Sequence, residues 1–203
     1  MSRESDLQRV LDGGVVAIIR ADSGEQLVGV AEALYEGGIE VIEIISAIRD
    51  SLGEKILLGA GTVLDAESAR AAMLAGAEFI VCPTVNLDVI RICRRYDKLV
   101  MPGALTPTEV LTAWEAGADI VKVFPAAVGG PGYLRALHGP LPQVKLLPTG
   151  GVDLKTLGGF FDAGACAVGL GSSLVEKQAV ATGDMARIRE LAEAYVAAVA
   201  AAR

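Results

Sequence analysis

A lysine set inside an apolar strand pattern is the first residue of this sequence with the means to do chemistry. Lys122 lies in Ile120-Val121-Lys122-Val123-Phe124-Pro125. Removing an ammonium group from water is costly, and burial lowers its pKa toward the neutral amine, a nucleophile able to attack a carbonyl. The competing reading is a strand lysine that snorkels to the rim or joins a buried ion pair, and spacing alone leaves both open. Glu43, in Val41-Ile42-Glu43-Ile44, is the second candidate. A carboxyl group between isoleucines suits a proton shuttle or an ion-pair partner; alone it reads as structural, and as catalytic once it shares a rim with Lys122. The third feature is a pair of glycine-rich segments, Pro148-Thr149-Gly150-Gly151-Val152 and Gly169-Leu170-Gly171-Ser172-Ser173. Glycine lets backbone N–H groups approach an anion closely, so two such loops in succession favour a phosphate cradle over ordinary tight turns.

These groups need elements to aim them, and the chain supplies a regular series. Aliphatic runs begin at Val15, Glu40, Ile56, Glu78, Lys98, Ile120, Val144 and Ala165, with amphipathic stretches between them. Eight strands separated by helical patterns indicate βα units and a parallel sheet. Ser23, Asp65 and the Thr106-Pro107-Thr108-Glu109 box mark helix starts, and Ala/Gly pairs such as Ala116-Gly117 mark helix ends. Eight units without a GxGxxG turn after the first strand favour an α/β fold of the (β/α)8 TIM barrel type over an open doubly wound sheet. Residues 1–203 then form a single domain, with an N-terminal helix before the first strand. One interval is anomalous: the runs at Glu40 and Ile56 start only 16 residues apart, against 20 to 25 elsewhere. Either a βα loop has been shortened or residues are absent from the chain as written. The second is the expectation, and it requires flanking Cα atoms near Ile44–Ser46 well beyond the ~3.8 Å of a peptide link.

Composition narrows the function further. The 203 residues are 52% hydrophobic and 21% charged, with mean hydropathy +0.47, yet no apolar run approaches the ~20 residues of a membrane helix. The apolar excess suits strands buried on both faces and a subunit interface. A net charge of −7 without a basic cluster argues against nucleic acid. The opening Met1-Ser2-Arg3-Glu4-Ser5-Asp6 has no apolar signal core, which points to the cytoplasm. Cys82, Cys93 and Cys166 show no metal or redox spacing and read as reduced thiols. The single histidine, His138, comes just before Gly139-Pro140 in a Gly- and Pro-flanked loop and reads as a solvated surface residue, too little for a metal-dependent aldolase or a Ser-His-Asp machine.

Taken together, these motifs resemble the 2-keto-3-deoxy-6-phosphogluconate (KDPG) aldolase family, which includes the 4-hydroxy-2-oxoglutarate aldolases. The likeness runs from Val15 to Val175 and is carried by Ile18-Ile19-Arg20, Gly37-Gly38-Ile39, Ile42-Glu43-Ile44, Gly59-Ala60-Gly61-Thr62-Val63, Met101-Pro102-Gly103, Val121-Lys122-Val123-Phe124-Pro125-Ala126 and the two glycine segments. The resemblance implies a class I aldolase with Lys122 as the Schiff-base lysine and Glu43 as the acid/base. It further implies that Arg20 and Thr62 meet the substrate carboxylate, that Pro83 and Phe124 wall the pyruvyl portion, and that Gly150, Gly151, Gly171 and Ser172 hold a phosphate. It implies neither metal nor organic cofactor, a phosphorylated 2-keto acid as the small-molecule partner, and a homotrimer. Two departures stand out: Cys82-Pro83 replaces the usual Ser-Pro, and the Thr-rich loop that normally follows the glutamate is missing. The competing readings are the galactonate-derived epimer as substrate, a thiamine-phosphate-synthase-like transferase lacking its acidic metal set, and a noncatalytic or engineered scaffold.

Overall fold

A computed structural model describes residues 2–19, 24–44 and 55–203. The expected break near Ile44–Ser46 falls on the segment 45–54 and so lies outside the described residues, as do Arg20 and the helix-start signal at Ser23.

The chain begins with α1 (Arg3–Gly13) and then alternates strand and helix: β1 (Val15–Ile19), α2 (Gly24–Glu36), β2 (Val41–Ile44), β3 (Leu57–Ala60), α3 (Ala66–Leu74), β4 (Phe79–Val81), α4 (Leu87–Arg95), β5 (Leu99–Met101), β6 (Gly103–Ala104), α5 (Pro107–Glu115), β7 (Val121–Val123), α6 (Gly130–His138), β8 (Leu146–Pro148), α7 (Leu157–Asp162), β9 (Val168–Leu170), α8 (Lys177–Thr182) and α9 (Met185–Ala201). All pairings are parallel, in the orders β5-β4-β3-β2-β1-β9 and β6-β7-β8. Two parallel bridges, Leu146 to Ala165 and Thr149 to Gly169, join the two sets on one side. On the other, β5 and β6 are halves of one barrel strand. Pro102 divides them because it has no N–H to give to the ladder, while its carbonyl accepts from Lys122 N–H at 2.9 Å. The result is a closed (β/α)8 barrel. The last strand is shorter than its sequence run: Ala165 makes only an isolated bridge, and regular pairing starts at Val168.

Helix boundaries follow from local chemistry. Asp65 caps α3 by accepting from Ser68 N–H at 2.6 Å, and Thr106 with Glu109 forms a reciprocal capping box on α5, with Pro107 in its first turn. Gly117 after α5 has φ 99°, a left-handed stop that a Cβ would penalise. His138 departs from expectation: it closes α6 and is half-buried against Gly164, where an added Cβ would overlap its ring.

Strand side chains divide cleanly. Ala17, Ile42, Ile44, Ile80, Val100, Val121 and Val123 belong to the shell between barrel and helices. Val16, Val41, Leu57, Phe79, Val81, Leu99, Met101, Ile120, Leu147 and Ala167 fill the lumen together with Leu7 and Val10 of α1. Helix α1 therefore plugs the floor of the barrel. Its last turn is held by Arg203, whose guanidinium donates to the carbonyls of Leu11 (2.5 Å), Asp12 (2.7 Å) and Cys166 (3.0 Å). A cation at a helix C-terminus satisfies carbonyls that lack intrahelical donors. Arg203→Ala should therefore lower unfolding free energy by about 1.5–3 kcal/mol, the range for hydrogen bonds to a charged group. Denaturant titration reads this directly, and an unchanged midpoint would remove Arg203 from the floor's stability.

Candidate active site

The alternation of strand side chains decides where the two candidate residues point. Val41 and Ile120 face the lumen, and their sequence neighbours face the helices. Glu43 and Lys122 each lie two residues further along the same strands, so both face inward, one step nearer the C-terminal mouth. Strand β2 and strand β7 stand on opposite sides of the barrel. Both side chains are buried, at 3% and 7% relative exposure. The buried Cys82 thiol, at the end of β4, feels both charges: burial pushes it up to about 12, Lys122 pulls it down and Glu43 adds to the rise.

Small residues make room for these groups. A Cβ added at Gly61 would overlap Glu43 Oε1, and one at Gly59 would overlap the ring of Phe79. Gly169 leaves space for the Thr149 hydroxyl in the same way. Thr149 follows the lumen residue Leu147 by two positions and so reaches the mouth beside Lys122. It is buried, and among the described residues its Oγ1 has no hydrogen-bond partner. A buried hydroxyl left unpaired is costly. Sequence reasoning passed over Thr149 except as part of a glycine motif; its place between two glycine-rich turns was the available signal.

The remaining candidates gather at the same mouth. Phe124, two residues beyond Lys122, is 38% exposed, and the Lys122 Nζ lies 5.1 Å from its ring centroid. Pro83 is half-buried at the end of β4 and Thr62 is exposed after β3. Gly150 and Gly151 follow β8 with φ of 83° and 85°, a double left-handed turn open only to glycine without strain. Gly171 and Ser172 follow β9, and the Gly171 carbonyl accepts from Leu174 and Val175 N–H at 3.0 and 2.9 Å, closing one helical turn. The two loops are adjacent because β8 and β9 are bridged. Arg20, the remaining expected contact, lies outside the described residues.

Among the described residues no group of three or more His, Cys, Asp and Glu side chains stands together to hold a metal, and no helix is long and apolar enough to cross a membrane.

Comparison with known proteins agrees with this geometry. A family model described as KDPG and KHG aldolase matches residues 7–191. The chain belongs to that family. It is therefore an aldolase, a carbon–carbon lyase. The 2-dehydro-3-deoxy-6-phosphogalactonate aldolase of Escherichia coli K12 is 37% identical, covering 79% of this chain and 83% of the relative. The 2-dehydro-3-deoxy-phosphogluconate aldolase of Treponema pallidum is 35% identical over 88% of this chain and 90% of its own. The crystal structure of KDPG aldolase from Legionella pneumophila, with pyruvate captured at low pH as a covalent carbinolamine intermediate, superposes with TM-score 0.85 at 28% identity, covering 93% of this chain and 97% of that one.

Burial also governs the thiols. Cys82 and Cys93 are free and buried, and desolvation is the largest cause that pushes each from 9.0 up to about 12. Because the folded value is the higher, their stabilisation is complete below the unfolded value of about 9 and is lost as pH rises toward about 12. Melting temperature should therefore fall through that window, less steeply in a Cys82→Ser, Cys93→Ala variant. Equal slopes would assign the alkaline loss to other groups.

Proposed function

We propose that the protein is a class I aldolase that cleaves 2-keto-3-deoxy-6-phosphogluconate to pyruvate and glyceraldehyde 3-phosphate through an imine on Lys122, and that it also accepts 4-hydroxy-2-oxoglutarate. The observation that carries this reading is the placement of Lys122 and Glu43 on opposite walls of one apolar lumen, at the mouth where barrel enzymes keep their chemistry.

The steps follow from what the two groups are. Desolvation favours the neutral amine, whose Nζ attacks the C2 ketone to give a carbinolamine. Glu43 gives its proton to the departing hydroxyl, and loss of water leaves a protonated imine and an ionised Glu43. Glu43 accepts the proton of the C4 hydroxyl, the C3–C4 bond breaks, and its electron pair moves into the imine to form an enamine. Glyceraldehyde 3-phosphate departs. Glu43 returns a proton to C3, and hydrolysis frees pyruvate and the lysine. The lysine is the electron sink, so the sequence of steps needs no cofactor. The carbinolamine in the Legionella relative is the species this chemistry requires on the way in.

The rest of the mouth fits the substrate's two ends. Thr62, with Arg20, would meet the carboxylate, since a hydroxyl and an arginine fork suit that anion. Pro83 and Phe124 would wall the pyruvyl carbons, and the Thr149 hydroxyl would find its partner on a substrate oxygen. The backbone at Gly150, Gly151, Gly171 and Ser172 would hold the phosphate. A second reading, the 6-phosphogalactonate epimer as substrate, is favoured by the 37% identity with the E. coli enzyme. A homotrimer is the assembly this reading carries.

Lys122→Ala should abolish turnover, and borohydride with pyruvate should leave a stable adduct on Lys122; normal turnover by the variant would end the proposal. Glu43→Gln should slow turnover by roughly 10²–10⁴, the usual worth of a positioned acid/base, and a near-native rate would take Glu43 out of the mechanism. A lyase assay on both phosphorylated epimers and on 4-hydroxy-2-oxoglutarate separates the two substrate readings by their kcat/KM.

A further inference from the structure

The two glycine-rich loops that would hold phosphate belong to different βα units and meet at the Thr149–Gly169 bridge. A second tie lies beyond that bridge, behind the mouth. Ser173, directly after Ser172, donates from Oγ to the carbonyl of Val152, directly after Gly151, at 2.9 Å. Tyr195, on α9 well beyond the last barrel strand in sequence, donates from Oη to the Ser173 carbonyl at 3.4 Å. Burial raises the pKa of this phenol above its ordinary value, and the nearby Asp153 carboxylate adds to the rise. Asp153 is in turn fixed, accepting at Oδ1 from Lys155 and Thr156 N–H, both at 2.9 Å. Tyr195 is only 2% exposed, and α9 is pressed onto α2 so closely that a Cβ at Gly37 would overlap Ala192. A phenol so placed has one position to offer.

We propose that Ser173 and Tyr195 are positioning residues that clamp the loop after β8 to the loop after β9, so that the two glycine turns act as one preformed anion cradle. This rests on the reading of those loops as the phosphate site. The physical need is specific. A cradle of backbone dipoles gains affinity only if its donors are already convergent, because ordering two glycine turns on binding would consume the interaction energy. Glycine supplies the close approach and also the excess freedom, and the clamp removes that freedom from outside without placing a side chain in the cradle. Neither residue touches substrate; each acts on the path of the main chain.

The experiment is steady-state kinetics of the full chain, Ser173→Ala and Tyr195→Phe, with 2-keto-3-deoxy-6-phosphogluconate and with 4-hydroxy-2-oxoglutarate, which has no phosphate. Inorganic phosphate serves as a competitive probe. Losing one hydrogen bond should raise KM for the phosphorylated substrate, and the Ki of inorganic phosphate, by about three- to tenfold. The KM for 4-hydroxy-2-oxoglutarate should change far less, so the ratio of the two KM values carries the result. A general loss of fold would move both substrates together. If the unaltered protein prefers the phosphorylated substrate and is inhibited by phosphate, yet the variants keep the same KM ratio, the clamp is wrong and the cradle stands. If the unaltered protein shows neither preference nor inhibition, the cradle reading fails and the clamp fails with it.

Discussion

An amine and a carboxyl group share the interior of a barrel whose other lumen side chains are almost all aliphatic or aromatic, and this desolvation constraint orders the rest of the molecule. Burying either group costs several kcal/mol unless the surroundings answer it. Lys122 and Glu43 meet that cost at the one level where the barrel opens, facing each other across the mouth. A step deeper, Val41 and Ile120 take the equivalent positions on the same strands, and the side chains around them are apolar.

The constraint explains why glycine recurs around the mouth. Alternate strands of an eight-stranded barrel bring four inward side chains to each level, so a long side chain at one position needs a small residue beside it. Gly61 yields its space to the Glu43 carboxyl, Gly59 to Phe79, and Gly169 to Thr149. Pro102 serves a related end, since it interrupts its own strand's ladder while its carbonyl fixes the Lys122 backbone. Among the described residues Thr149 Oγ1 is a buried side-chain atom of the mouth without a hydrogen-bond partner.

The two ends of the barrel divide the labour. The floor is sealed by Leu7 and Val10 of α1 and fastened by Arg203, all directed at stability. The mouth accepts exposed Phe124, exposed Thr62 and left-handed glycines, none of which a stability argument would choose. Helix α9 serves both ends: its ring at Tyr195 stands behind the glycine loops, and the chain just past it reaches the floor.

Much of this was legible in the sequence because the period of a buried parallel strand and the caps of a helix are local properties. The eight runs, the Asp65 and Thr106 helix starts, and the pairing of Lys122 with Glu43 on one rim came from residue types and order alone. Local patterns failed where contacts between distant segments decide. His138 reads as a loop residue until α6 folds it over Gly164, and only the strand pairing shows that the strand ending at Met101 resumes beyond Pro102. Thr149 and Ser173 stand in the sequence only as members of glycine-rich segments, and Tyr195 belongs to no motif. Only the closed barrel shows that one hydroxyl is buried without a partner and that the other two side chains tie neighbouring loops together, because burial and hydrogen-bond satisfaction depend on what the rest of the chain brings alongside.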